Sequence, residues 1–191
     1  AEYAIKALKA GKPVYIEKPM SVNYSECVRI NEEAAKQNLP VFVAYYRRTL
    51  PGFLKIKELI EEGEIGKVRF VNLQIYNYLS PEEKAGNLPW RVIPEIAGAG
   101  HFFDLASHQL DYFDYLFGPI KKIASIAVNQ AKLYEAEDLV SASFAFDDNI
   151  ILTGTWCFTV SPEGNRDSLE IVGEKGIIKT STFSFQPIVL I

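Results

Sequence analysis

Histidine is scarce in this chain of 191 residues: there are two, alongside two cysteines, two tryptophans and one methionine. Cys27 and Cys157 are isolated thiols without metal-ligand or redox spacing. They build neither a zinc site nor a CxxC motif, and so low a cysteine content suits a reducing, cytoplasmic setting. No apolar run approaches the roughly 18–20 residues of a membrane helix, so no membrane partner is expected. Positive charge is also in short supply. Lys+Arg 20 against Asp+Glu 24 leaves a net charge of -4, and no basic run exceeds the pairs Arg47-Arg48 and Lys121-Lys122. That balance is wrong for gripping a phosphate backbone, so nucleic acid is not an expected partner. What remains, 48% hydrophobic and 23% charged, is ordinary globular material with enough length to bury a core.

The chain begins inside an apolar helical pattern (Tyr3, Ala4, Ala7, Leu8) that closes at Gly11, the residue type expected after a helix C-terminus. It ends in the strand-like run "FSFQPIVLI". Both ends are expected to be cut from a longer protein. "PVYIEKP" reads as a short strand stopped by Pro19, "NYSECVRINEEAAKQNLP" as a helix with Ser21 or Asn23 as its N-cap, and "VFVAYY" as a strand buried on both faces. Helix, strand, helix, strand with short connections is the rhythm of a doubly wound α/β sheet, here represented by its last two strands.

From Arg47 the character changes. "LPGFLKIKELIEEGEIG" predicts an amphipathic helix ended by Gly63, and "KVRFVNLQIYNYL" alternates at period two. A helix from about Phe102 to Phe117 stops at Gly118-Pro119. Strands follow near 121–132, 138–147, 150–160, 167–173 and 176–180, with tight turns at Asp147–Asn149 and Gly173–Gly176. Consecutive strands joined in this way predict an antiparallel sheet, with the long helix covering one face. The fold class is therefore α/β in the first part and α+β beyond about residue 50.

Both histidines fall in one stretch, "GAGHFFDLASHQLD" (98–111). At about 100° per residue, Asp104, His108 and Asp111 share one helical stripe, while Phe103, Leu110, Phe113 and Phe117 point elsewhere and can pack. A carboxylate four residues from an imidazole can orient its tautomer and raise its pKa, poising His108 for acid/base work near neutral pH. Gly98 and Gly100 allow close approach of backbone or ligand before the helix, whose N-terminus favours anionic or hydroxyl-bearing ligands. A surface pair at a core edge is the plainer explanation of Asp104 and His108. His101, at the helix start, is expected to cap or face solvent. Metal binding by Asp104, His108 and Asp111 ranks below acid/base use, because three ligands on one helix rarely close a coordination shell. Lys18, between Glu17 and Pro19, lies at the end of a parallel strand, where α/β sheets bind ligands. An exposed loop charge is its alternative reading.

Taken together, "ALKAGKPVYIEKPM" (7–20), "VAYYRR" (43–48), "IEEGEIGKVRFV" (60–71), "PWRVIPEIAGAGHFFDLASHQLDYFDYLFG" (89–118) and "LEIVGEKGII" (169–178) resemble the Gfo/Idh/MocA family of NAD(P)-dependent sugar oxidoreductases, over nearly the whole chain. The resemblance implies a residual Rossmann part (1–48) and a C-terminal catalytic domain (49–191) with a mostly antiparallel sheet. The open face of that sheet would form a homo-oligomer contact. It implies Lys18, Asp104 and His108 as catalytic and substrate-binding residues, with His108 the general base. Trp90 and Arg91 would be further substrate contacts, and Glu17, Lys18, Pro19 and Arg47 would lie at the cofactor, NAD or NADP, with Arg48 a weaker candidate for the same edge. The substrate would be a sugar, cyclitol or related polyol. A catalytically inactive sugar-binding or assembly protein of the same fold is the alternative. The chain departs from the family pattern at Gly98-Ala99-Gly100, where three glycines are frequent, and at Ala106, where glycine is frequent. It also has no G-x-G-x-x-G turn, so residues 1–191 alone are expected to bind NAD(P) weakly and to be inactive.

Overall fold

The computed structural model describes residues 1–191. The first 48 residues form a small α/β unit. Helix α1 (Glu2–Lys9) carries a Glu2–Lys6 ion pair at 2.5 Å one turn apart and gives way to Gly11 at φ +73°. Strand β1 (Val14–Ile16) pairs in parallel with β2 (Val41–Val43) across helix α2 (Tyr24–Gln37). Asn23 is the N-cap of α2, its side chain accepting from the Glu26 amide at 2.9 Å, and Asn38 ends the helix in the left-handed region. Leu8, Ile30 and Ala34 form a small core against Val14, Ile16 and Val41.

Burial of β2 differs from expectation. The alternate residues Tyr15 and Phe42 are 70% and 56% exposed, because both helices of the unit cover the same face of the pair. The strand also ends at Val43. Tyr46 to Thr49 coil into a 3₁₀ turn that carries the chain toward the second unit.

Helix α3 (Pro51–Glu61) starts with proline at its first position, where the missing N–H costs nothing. Strand β3 (Val68–Tyr78) follows, then a loop with two short helices, α4 (Pro81–Lys84) and α5 (Pro94–Ala97), and the long helix α6 (His101–Phe117). Strands β4 (Lys122–Val128), β5 (Leu139–Ala145), β6 (Ile151–Val160), β7 (Arg166–Gly173), β8 (Ile177–Thr180) and β9 (Val189–Leu190) complete a seven-stranded sheet in the order β4-β5-β6-β3-β7-β8-β9. All its pairings are antiparallel except β3 with β6. Inserting the long β3 between β6 and β7 makes the sheet mixed, a feature that local alternation does not encode.

The sheet buries one face against α3 and α6. Val71, Leu73 and Ile75 of β3 lie beside Leu152 and Trp156 of β6 and Leu169 and Ile171 of β7 in one core. Trp156 lies edge-on to Phe102 of α6, ring centroids 5.0 Å apart, and Phe53 of α3 meets Tyr112 of α6 at 4.7 Å. The polar tips of these two side chains have partners: Tyr112 donates to the Phe53 carbonyl at 2.7 Å, and Trp156 Nε1 to Gln109 Oε1 at 2.7 Å. Gly154 is required here, since a Cβ would lie 2.2 Å from the Trp156 ring. The packing turns α6 so that its other side faces the first unit.

Candidate active site

The site forms where the loop after β1 meets the first turns of α6. Lys18 Nζ donates to Asp104 Oδ1 at 2.6 Å and to the Asp104 carbonyl at 3.0 Å. Both side chains are about one-fifth exposed, so the pair is partly shielded yet open to a ligand. Arg91 approaches the other carboxylate oxygen, Nε to Oδ2 3.3 Å, and its guanidinium lies 4.6 Å from the centre of the Trp90 ring. Asp104 therefore holds two cations, and the half-exposed Trp90 ring packs against the Arg91 guanidinium.

One turn further along α6, His108 is 4% exposed and enclosed edge-on by Tyr45, Tyr46 and Phe183, with centroid distances of 5.9, 5.4 and 6.4 Å. Its Nδ1 is buried without a hydrogen-bond partner. Burial lowers the pKa of the imidazole to about 4, the cations of Lys18 and Arg47 add to the shift, and Asp104 opposes it. This corrects the expectation of a raised pKa. The Asp104 carboxylate faces Lys18 and Arg91, and desolvation by the aromatic cage dominates. His108 is consequently neutral at physiological pH, with one ring nitrogen a donor and the other an acceptor.

Asp111, further along the same stripe, forms a bidentate pair with Arg48. Burial raises its pKa, and the arginine works against that rise. Asp104, His108 and Asp111 thus share a helical stripe but not a target, which removes the geometric basis for a metal shared among them.

Arg47 is 7% exposed, donates from Nη1 to the Thr182 carbonyl at 2.7 Å and stacks 4.3 Å from the centre of the Phe183 ring. Its charge lies close enough to His108 to help depress the imidazole's pKa. The loop that encloses it is itself fixed by Asp167, whose carboxylate accepts from the amides of Thr182, Phe183 and Ser184 at 2.6–2.8 Å and from the Ser184 hydroxyl at 2.9 Å. Gln109 joins in, Nε2 to Thr182 Oγ1 2.9 Å. Sequence reasoning missed Phe183 and Asp167, because Phe183 meets the His108 ring from far along the chain and Asp167 acts only through the backbone amides that place it.

The close approach at Gly98 and Gly100 is to the protein itself. A Cβ on Gly98 would lie 2.4 Å from the Val22 carbonyl, and one on Gly100 would lie 2.7 Å from Ala136 Cβ. The glycines thereby let the loop after β1 and the segment before β5 close around the start of α6. His101 neither caps the helix nor stands free: its Nε2 is 3.1 Å from Glu83 Oε1. Glu17 to Pro19 leave the carboxyl end of β1, the edge at which open α/β sheets bind ligands. These residues suit one end of a dinucleotide, while the glycine-rich turn that would cradle its phosphates is not among residues 1–191.

Comparison with known proteins places the fold. The model of the GFO/IDH/MocA C-terminal domain matches residues 53–179, and that of the oxidoreductase family with NAD-binding Rossmann fold matches residues 1–45. An oxidoreductase of Formosa agariphila is 36% identical over 188 residues, covering 96% of this chain and 56% of its own length. Inositol 2-dehydrogenase of Gluconacetobacter diazotrophicus is 42% identical over 117 residues, 61% of this chain and 31% of that protein. The WlbA dehydrogenase of Bordetella pertussis, solved with NADH and UDP-GlcNAcA, superposes with a TM-score of 0.84 at 26% identity, covering 97% of this chain and 57% of that one. The chain thus spans about half the length of relatives that match it almost throughout.

Proposed function

The chain belongs to the Gfo/Idh/MocA family of oxidoreductases, and from that premise we propose that Lys18, Asp104 and His108 handle the hydroxyl proton in an NAD(P)-dependent dehydrogenase acting on a sugar, cyclitol or related polyol. The observation that carries this reading is the Lys18–Asp104 pair at 2.6 Å beside a buried imidazole lacking a polar partner.

Each residue has a distinct task. Lys18, anchored by Asp104, places a cation where an alkoxide develops as the hydroxyl proton leaves. Asp104 fixes that cation and accepts from a second substrate hydroxyl. His108 takes the proton during oxidation and returns it during reduction. Its aromatic cage keeps it neutral, so no prior deprotonation is needed. Trp90 and Arg91 bound the substrate on the outer side. Glu17, Lys18 and Pro19 would hold the nicotinamide end of the cofactor, which when bound would supply the hydride acceptor.

The domain division at residue 48 and self-association through the open sheet face belong to the same reading. Phe70 and Ile151 are adjacent in register on that face and each 40% exposed, which supports an apolar contact there.

The test is NAD+ or NADP+ reduction by a panel of hexoses and inositols in the full-length protein that contains this chain, with Asp104→Asn in parallel. Reduction by at least one compound, weakened in the variant, is expected. Absence of reduction across the panel, or a variant as fast as the wild type, overturns the proposal.

A further inference from the structure

Strand β3 ends in a chemical anomaly. Its core-facing register runs through Val71, Leu73 and Ile75, all buried, and continues to Asn77, which is half-buried. An amide in that series has donors and an acceptor to satisfy where its predecessors have none. Asn77 lies on the walls of two adjoining cavities. One, about 710 Å³, is also bounded by Leu105, Asn165 and Phe183, and the other, about 390 Å³, by Ser80, Glu83, His101 and Phe158.

Each cavity meets α6 at one residue, the first at Leu105 and the second at His101 one turn before it. His101, Leu105 and His108 stand at i, i+4 and i+7, within roughly 60° of one another, and the helical rise puts the two histidines roughly 10 Å apart. The first cavity opens beside the reacting end, since Phe183 on its wall also lies edge-on to His108. A length of two helical turns exceeds one sugar ring and suits two.

The far end is preorganised. The Ser80 amide donates to Glu83 Oε2 at 2.8 Å, while Oε1 faces His101 Nε2. Burial opposes ionisation of Glu83, but the Ser80 amide and His101 outweigh it and hold the carboxyl below its ordinary range. The contact between Nε2 and that carboxylate fixes the orientation of the His101 ring on the cavity wall. Phe158, 5.2 Å from the imidazole by centroids, offers an apolar floor for the carbon face of a ring. Of the walls, Arg166 carries the one cation, and its Nη1 is turned to Gln74 Oε1 at 3.2 Å. A phosphate or nucleotide diphosphate would find no cluster of positive charge here.

We propose that this cavity is a distal subsite for the second hydroxylated ring of an extended, uncharged sugar substrate, with the Asn77 amide contacting it midway and the His101–Glu83 pair at its end. The reacting end rests on the oxidoreductase reading above.

The test compares glucose with cellobiose and maltose in the full protein with NAD+ and NADP+, in wild type, Asn77→Leu and His101→Phe. The readout is the ratio of kcat/KM for disaccharide over glucose, because a folding defect scales both alike. At least one disaccharide is expected to exceed glucose in the wild type, and each substitution to cut that ratio by about tenfold, one hydrogen bond's worth. A wild-type ratio near one, or a ratio unmoved by both substitutions, overturns the subsite. Calorimetric binding of the same sugars separates the two readings. A disaccharide preference lost in the variants supports the subsite even where no cofactor is reduced, in which case the oxidoreductase reading fails alone.

Discussion

Lys18 and Asp104, 86 residues apart in sequence, meet at 2.6 Å across the junction between the two parts of the chain. The contact joins a loop after a parallel strand to the first turn of α6, and it aligns everything downstream on that helix. Asp104 also accepts the approach of Arg91, so removing Lys18 leaves the carboxylate with one cation and the substrate oxygen with none.

Lys18→Ala is therefore expected to lower kcat by about 10²–10³, the scale for losing one preorganised donor at a developing oxyanion. It carries a second signature. Lys18 depresses the pKa of His108, so its loss should move the acidic limb of the rate profile upward. Steady-state rates between pH 4 and 8 check both effects.

Stability should depend on pH through His108. Its pKa is about 4 in the folded chain against an ordinary value of 6.5, so between those limits the unfolded state binds a proton that the native state refuses. Stability then rises with pH across that window and falls on acidification, by about 3 kcal/mol in all for a shift of this size. Urea unfolding at several pH values measures the slope, and His108→Gln should flatten it.

Asp167→Ala removes the acceptor of three backbone amides and one hydroxyl. About 2–3 kcal/mol of stability should be lost, since the amides do not all find water in its place. Hydrogen exchange at Thr182 to Ser184 should accelerate, which distinguishes a freed loop from general loosening.

Gly154→Ala drives a methyl into the Trp156 ring. Overpacking of this kind costs about 1–3 kcal/mol. The displaced indole should lose its bond to Gln109, so its fluorescence should shift along with the unfolding midpoint.

The legible part of this site lay in periodicity. Helical spacing placed Asp104 and His108 on one stripe, and alternation along β3 sorted its buried residues from its exposed ones. Lys18 became legible through resemblance, because no local pattern tells a strand-end lysine in a crevice from one in solvent. The pKa of His108 went the other way from expectation. Asp104, four residues off, was visible in the sequence, whereas Tyr45, Tyr46 and Phe183, which desolvate the ring, arrive from two distant loops. The insertion of β3 between β6 and β7 was hidden for the same reason: strand order follows from which faces meet, not from any segment alone.

The account stands or falls on His108 as the proton acceptor. The most direct measurement is single-turnover reduction of NAD(P)+ by a sugar or cyclitol substrate in wild type and His108→Ala, with binding of that substrate measured separately. The account predicts a loss of about 10²–10⁴ in the rate of reduction with binding largely kept. A variant that binds the substrate and reduces the cofactor at the wild-type rate would contradict it.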